Sequence, residues 1–261
     1  MLQVPCQPAS NWENPLNFKA NPDQPGRSQP AINLPAVVWI LIVVLFVIEA
    51  FIQFGGPSYQ AFTSAYFAFV PARFGPEPFP QVPGERWWTM LTYGFLHADW
   101  VHVATNCLWL AVFSKPVEAH LGTLRYLALL AVSIIAGAVA SLIVHWGQPI
   151  ILVGISAGVS GVLAGAIPLM HGRLGNPYAL APSLTPLRPM EILTNGRAMT
   201  FTIMWLVLTF FTASTQYLTG QALIEQRVIA WEAHLGGFAA GFIMFYILDA
   251  TLPPKQVHTL H

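Results

Sequence analysis

Long apolar runs separated by short polar or proline-rich stretches set the pattern of this chain. Ala36 to Phe54 is apolar but for Glu49 and Gln53 near its far end, and Tyr126 to Val144 is apolar almost throughout. About 20 such residues, rising 1.5 Å each, make a helix that crosses a bilayer. The same rule predicts spans over Thr92 to Phe113, Ile150 to Met170, Ala198 to Leu218 and Ile229 to Leu248, six in all. Between the first two, Gly55 to Glu85 mixes Pro57, Pro71, Pro76, Pro78, Pro80 and Pro83 with Tyr66, Phe67, Phe69, Phe74 and Phe79. That stretch is too broken for a spanning helix and too aromatic for an ordinary connection, so a loop lying partly in the membrane interface is expected. Residues 1–35 scatter seven prolines among Asn, Gln and Ser, a composition that cannot bury a core and predicts a disordered tail. The expected organisation is therefore that tail, a membrane domain over 36–250 and a short second tail over 251–261.

Composition agrees with the pattern. The 261 residues are 55% hydrophobic and 8% charged, with mean hydropathy +0.56, against about 25% charged in soluble proteins. Eleven basic and eleven acidic residues cancel, so nothing points to nucleic acid as a partner. Cys6 and Cys107 are the only cysteines, one in the polar tail and one in an apolar run, which argues against a disulfide framework or a structural zinc site. No basic start followed at once by a short apolar core marks a cleavable signal peptide. Basic residues also set the orientation, because cytoplasmic loops carry their excess. With the N-terminus inside, Lys19, Arg27, Lys115, Arg125, Arg173, Arg188, Arg197 and Lys255 fall on the inner side, and only Arg73, Arg86 and Arg227 on the outer. Both termini are expected to be cytoplasmic, in a plasma membrane or a bacterial inner membrane.

Against this apolar background, a few polar groups stand out. A charge at the centre of a span costs about 2.5 to 3.5 kcal/mol on insertion scales, so polar residues there are candidates for function. His102 and Asn106, four apart, share one helical face. His234 is followed at spacings of three and seven by Gly237 and Gly241, small residues that let another helix come close. The fourth run, IILVGISAGVSGVLAGAIPLM, is too rich in glycine to be chosen for helix propensity, and it carries Ser156 and Ser160 on one face with Gly161 and Gly165 further along. Counted from the basic or acidic residue closing each span, His102 stands 13 positions from Lys115 and His234 stands 15 from Asp249. Ser156 and Ser160 stand 17 and 13 from Arg173, so all four groups fall at similar depth in the outer half. A serine, a histidine and hydrogen-bond donors at one depth are the parts of a nucleophilic site. Each alone is more often a packing or bridging residue; the combination carries the signal. His97, His120, His145 and His171, with Glu49, Glu118 and Asp249, lie near span ends and read as interface or packing residues.

These residues resemble the rhomboid family of intramembrane serine proteases over roughly Phe69 to Asp249. TYGFLHADWVHVATN, with His97, His102 and Asn106, is similar to the family's second-span signature, and WEAHLGGFAAG, with His234, Gly237 and Gly241, to its sixth. Arg86 beside Trp87, and Phe113 to Gly122 with Glu118, resemble the family's first-loop and second-span-end patterns. The resemblance implies an all-α membrane protein, a six-transmembrane-helix rhomboid-like bundle. It also implies a Ser-His dyad without a third carboxylate, no cofactor or metal, and cleavage of transmembrane protein substrates near the outer face. The nucleophile admits two alignments. Gly158-Val159-Ser160-Gly161 keeps the family's literal GxSG, whereas Gly154-Ile155-Ser156-Ala157 loses its last glycine but sets Ser160-Gly161 where many members have Ser-Gly. Ser156 is favoured, because a nucleophile at the start of the span meets unpaired backbone N–H groups and the positive end of the helix dipole. His234 is the expected base, with His102 and Asn106 as oxyanion donors and His97 supporting them. Gly161, Gly165, Gly237 and Gly241 are expected to pack spans four and six together. The rival reading is an inactive rhomboid-like protein that binds membrane clients. A haem or quinone protein would want histidine pairs at two depths, and a transporter would want mid-span charge pairs or an internal repeat; neither pattern is present.

Overall fold

The computed structural model describes residues 34–76, 83–174, 184–218 and 230–252. Residues 1–33 of the N-terminal tail expected over 1–35, and most of the C-terminal one, lie outside the described residues. Helix α1 covers Ala36–Phe67, α2 Glu85–Thr92, α3 Trp100–Leu121 and α4 Thr123–Val144. Then come α5, Ser156–Met170, α6, Pro189–Thr194, α7, Gly196–Leu218, and α8, Trp231–Ala250. Short 3-10 turns occupy Pro71–Phe74 and Tyr93–Phe95. β1, Arg173–Leu174, and β2, Leu184–Thr185, form a two-residue antiparallel pair. By length and composition α1, α4 and α8 can each cross a membrane, while α5 and Gly196–Thr212 of α7 are shorter apolar helices.

α5 is the buried axis of the bundle. Every residue from Ala157 to Leu169 is buried, as expected of a helix that is apolar all round. α3, α4 and α8 pack around it. Glycine makes the approach close. A Cβ on Gly241 would stand 2.3 Å from Gly161 Cα, and one on Gly237 would stand 2.1 Å from the Ala157 carbonyl oxygen. Such separations exist only because no side chain is there. Facing outward, α1 exposes Ile40, Phe51 and Phe54, and α7 exposes Val207 and Phe211, the surface that lipid would cover.

Several boundaries differ from the sequence expectation, among them the end of α3, which runs past the expected Phe113 to Leu121. α1 does not stop at Phe54: Gly56 breaks it at φ 75°, and Pro57 starts a second helical stretch that runs to Phe67. The loop expected from Gly55 therefore begins as helix. α3 starts eight residues later than expected, at Trp100, because the Asp99 side chain accepts the His102 backbone N–H at 2.8 Å and caps it. Asp99 is thus a cap and not a charge inside a span. Ile150 to Ile155 is not helical; Leu152 instead pairs with Phe69 in an antiparallel bridge whose N–H···O distances are 2.9 and 3.2 Å. Between α5 and α7, the proline-rich connection holds the β1–β2 pair and α6, and Tyr246 of α8 donates to the Leu187 carbonyl at 2.6 Å.

Candidate functional site

Ser156 is the first residue of α5 and is half-buried. No side chain caps this helix start, where Ile155 precedes the first turn. The first backbone N–H to close an intrahelical bond to Ile155 is that of Val159, at 3.0 Å, so the N–H groups ahead of it have no carbonyl within the helix. Upstream, Gly154 adopts φ +114° and donates its N–H to the Tyr93 carbonyl at 3.0 Å. That sharp entry aims the start of α5 at one end of the bundle.

Ser160 sits one turn further in and is differently engaged. It is 4% exposed, and its hydroxyl donates to the Ser156 carbonyl at 2.9 Å. Its Oγ is held by its own helix.

His234 lies in the first turn of α8 and is half-buried. α8 meets α5 at the residues next to both groups. Ala157, adjoining Ser156, faces Gly237 across the helix contact. Gly137 of α4 closes the same corner, since a Cβ there would meet Ala157 Cβ at 2.4 Å and the Ala233 carbonyl at 3.0 Å. Ser156 and His234 thus stand on helix starts that touch at Ala157 and Gly237, with Gly137 of α4 against Ala157 and Ala233.

Two donors from α3 complete the corner. A Cβ on Gly154 would lie 2.8 Å from His102 Nε2 and 3.6 Å from Asn106 Nδ2, so both side chains reach the backbone two residues before Ser156. Asn106 is 5% exposed, and its Nδ2 has no hydrogen-bond partner among the described residues. His97 belongs not to α3 but to the extended segment ahead of it, and its ring stands 5.0 Å from that of His102 at 80°. It is buried with neither ring nitrogen bonded among the described residues. Chemically, the corner offers a hydroxyl, an imidazole, an unengaged amide donor and uncapped N–H groups, all of which suit a developing negative charge. Among the described residues no cluster of three or more His, Cys, Asp or Glu side chains could hold a metal ion.

The family model of the rhomboid domain matches residues 84–250. The chain belongs to the rhomboid family. It is an integral membrane protein of the all-α class, and the matched region of this rhomboid protein carries every site residue named above. No curated protein matches the chain.

Sequence reasoning missed Glu232, which is buried two residues before His234, and with it the role of His145. His145 Nε2 lies 3.3 Å from Glu232 Oε1. The available signal was a carboxylate in the first turn of an apolar helix, beyond what solvation alone requires. Arg73 was likewise read only as an outer-side charge, whereas it forms a buried pair with Glu85 at 3.1 Å.

Proposed function

We propose that this rhomboid protein is an intramembrane serine endopeptidase that cleaves transmembrane protein substrates near the outer membrane face. Ser156 Oγ attacks the scissile carbonyl while His234 takes its proton. His102, Asn106 and the Ser156 N–H hold the resulting oxyanion. As the carbon–nitrogen bond breaks, His234 returns the proton to the leaving amine, leaving an acyl ester on Ser156. Water entering from the outer face then attacks the ester, His234 takes the water's proton, and the carboxylate product departs as Ser156 regains its own. Helix α5 starts at Ser156 with its first turn uncapped, while Ser160 is buried and bonded to its own helix; this observation carries the choice of nucleophile.

The proposed arrangement is a membrane domain over 36–250 with six spans and both termini cytoplasmic, supported by the eight-to-three bias of basic residues. A substrate helix hides its carbonyls in its own hydrogen bonds, so the segment to be cut must contain poor helix formers such as Gly or Pro.

Fluorophosphonate labelling of the purified protein, with cleavage of an unstable transmembrane substrate, tests the proposal. Labelling lost in Ser156→Ala and in His234→Ala but kept in Ser160→Ala is the expected result. Labelling lost only in Ser160→Ala overturns the nucleophile. An unlabelled, inactive wild-type protein would favour the client-binding reading.

A further inference from the structure

Helix α8 has a weak start. Its N-cap is Ala230, with no side-chain cap bond, and Gly236 and Gly237 follow within two turns. Ala is a poor cap, and each glycine costs about 1 kcal/mol of helix propensity relative to Ala. A helix end built this way frays unless something outside it holds the first turn. His234 sits in that turn, with its backbone N–H 3.2 Å from the Ala230 carbonyl.

Glu232 supplies the hold. It is 4% exposed, and its partners come from the end of α4. Ser141 Oγ donates to Glu232 Oε1 at 3.2 Å, and His145 Nε2 stands 3.3 Å from the same oxygen. The opposite ring nitrogen of His145, Nδ1, meets Gln148 Oε1 at 3.1 Å. The Gln148 carbonyl in turn accepts the Ala72 N–H at 2.9 Å, beside the Arg73–Glu85 pair. One polar chain therefore runs from the start of α8, through the end of α4, to the loop after α1. Ser141 is fully buried and donates to a carboxylate, so the trio is not a second nucleophilic site. Both partners meet Oε1, while Oε2 has no hydrogen-bond partner among the described residues, so the buried carboxylate depends on these two contacts.

We infer that Glu232 is a positioning residue for His234: its clasp on Ser141 and His145 fixes the first turn of α8 against α4 and so sets the height and rotation of the imidazole. The inference rests on the proteolytic reading, and its test reads the clasp apart from activity. In the full-length protein in bilayer discs, Glu232→Ala is expected to speed amide hydrogen exchange over residues 231–236 at least about ten-fold. The same variant is expected to lower kcat on a transmembrane substrate about ten- to a hundred-fold with KM within two-fold. Glu232→Gln keeps an acceptor oxygen for both partners and is expected to restore most of kcat and of the slow exchange. Should Glu232→Ala fail to fold, Ser141→Ala combined with His145→Gln loosens the same clasp and carries the same expectations. Unchanged exchange overturns the clasp. Faster exchange with unchanged kcat, or a rise in KM alone, overturns the positioning role. A wild-type protein that neither labels with fluorophosphonate nor cleaves overturns the proteolytic reading, and the positioning role with it, while the exchange arm still decides whether the clasp exists.

Discussion

Gly237→Ala is the sharpest test of how the two helix starts are brought together. The added Cβ would stand 2.1 Å from the Ala157 carbonyl oxygen, 2.7 Å from its carbon and 2.9 Å from Ala157 Cα. An ordinary carbon–oxygen contact is about 3.3 Å or more, so α5 and α8 must separate by about 1 Å. Because the obstructing atoms are backbone, no rotamer change relieves them. Overpacking of this kind costs about 1–3 kcal/mol of stability. The rate should suffer more, since Ala157 is bonded to Ser156 and a misplacement of about 1 Å costs about a hundred-fold. Gly165→Ala is the matched control. Its Cβ would meet Phe245 Cδ2 at 3.1 Å, a ring that shifts by a few tenths of an ångström. The control should keep cleavage within about three-fold, helped by the better helix propensity of Ala. Cleavage rate, fluorophosphonate labelling and thermal unfolding in detergent, measured on both variants, give the comparison. A Gly237→Ala protein that cleaves and labels like wild type would refute the argument that the approach of α5 and α8 sets the site.

Further outcomes follow from other parts of the same geometry. Gly154→Ala puts a side chain at φ +114° and 2.8 Å from His102 Nε2, so kcat should fall at least about ten-fold through loss of an oxyanion donor, with labelling slowed in parallel. Burial pulls the Arg73 guanidinium below its ordinary pKa, while Glu85 opposes the shift. Removing one partner by Glu85→Ala should cost about 3–5 kcal/mol in thermal unfolding, and Arg73→Met with Glu85→Leu should recover much of it. At the far ends of α3 and α8, His120 Nε2 and Asp249 Oδ1 meet at 2.6 Å. Asp249→Asn should lower stability by about 1–2 kcal/mol and leave kcat unchanged, which separates a structural tie from the clasp at Glu232.

The parts of this protein that were legible in its sequence are those whose cause is local. α4 and most of α8 follow from apolar runs, and the common face of His102 and Asn106 follows from their helical spacing. Misread features had competing local causes. The span expected from Thr92 to Phe113 encloses Asp99, whose position is that of an N-cap, and only the bond it accepts from the His102 N–H shows that the helix starts after it. Gly56-Pro57 reads as a helix stop, but a proline that opens a second helical stretch lets α1 run on to Phe67. Ile150 to Ile155 continues an apolar run, yet Leu152 finds its backbone partners in Phe69, more than eighty residues away. No local period encodes such a pairing.

Pairings across helices were the least legible, and they are what hold the site. Glu232 and His145 are separated by more than eighty positions, and each alone looks like a polar residue at a span end. Their meeting depends on the small-residue contacts that lay α4 and α8 together, where Gly236 would meet Ala140 Cβ at 2.6 Å had it a side chain. The glycines therefore do two things at once. They weaken α8 as an isolated helix, and they allow the approach through which Glu232 finds the partners that firm up its first turn. The Gly-rich start of α5 follows the same logic: Gly154 gives up ordinary backbone geometry, and in exchange His102 and Asn106 lie close against the backbone two residues before Ser156. Local stability is given up at both helix starts, and tertiary contacts restore it where the candidate site residues stand.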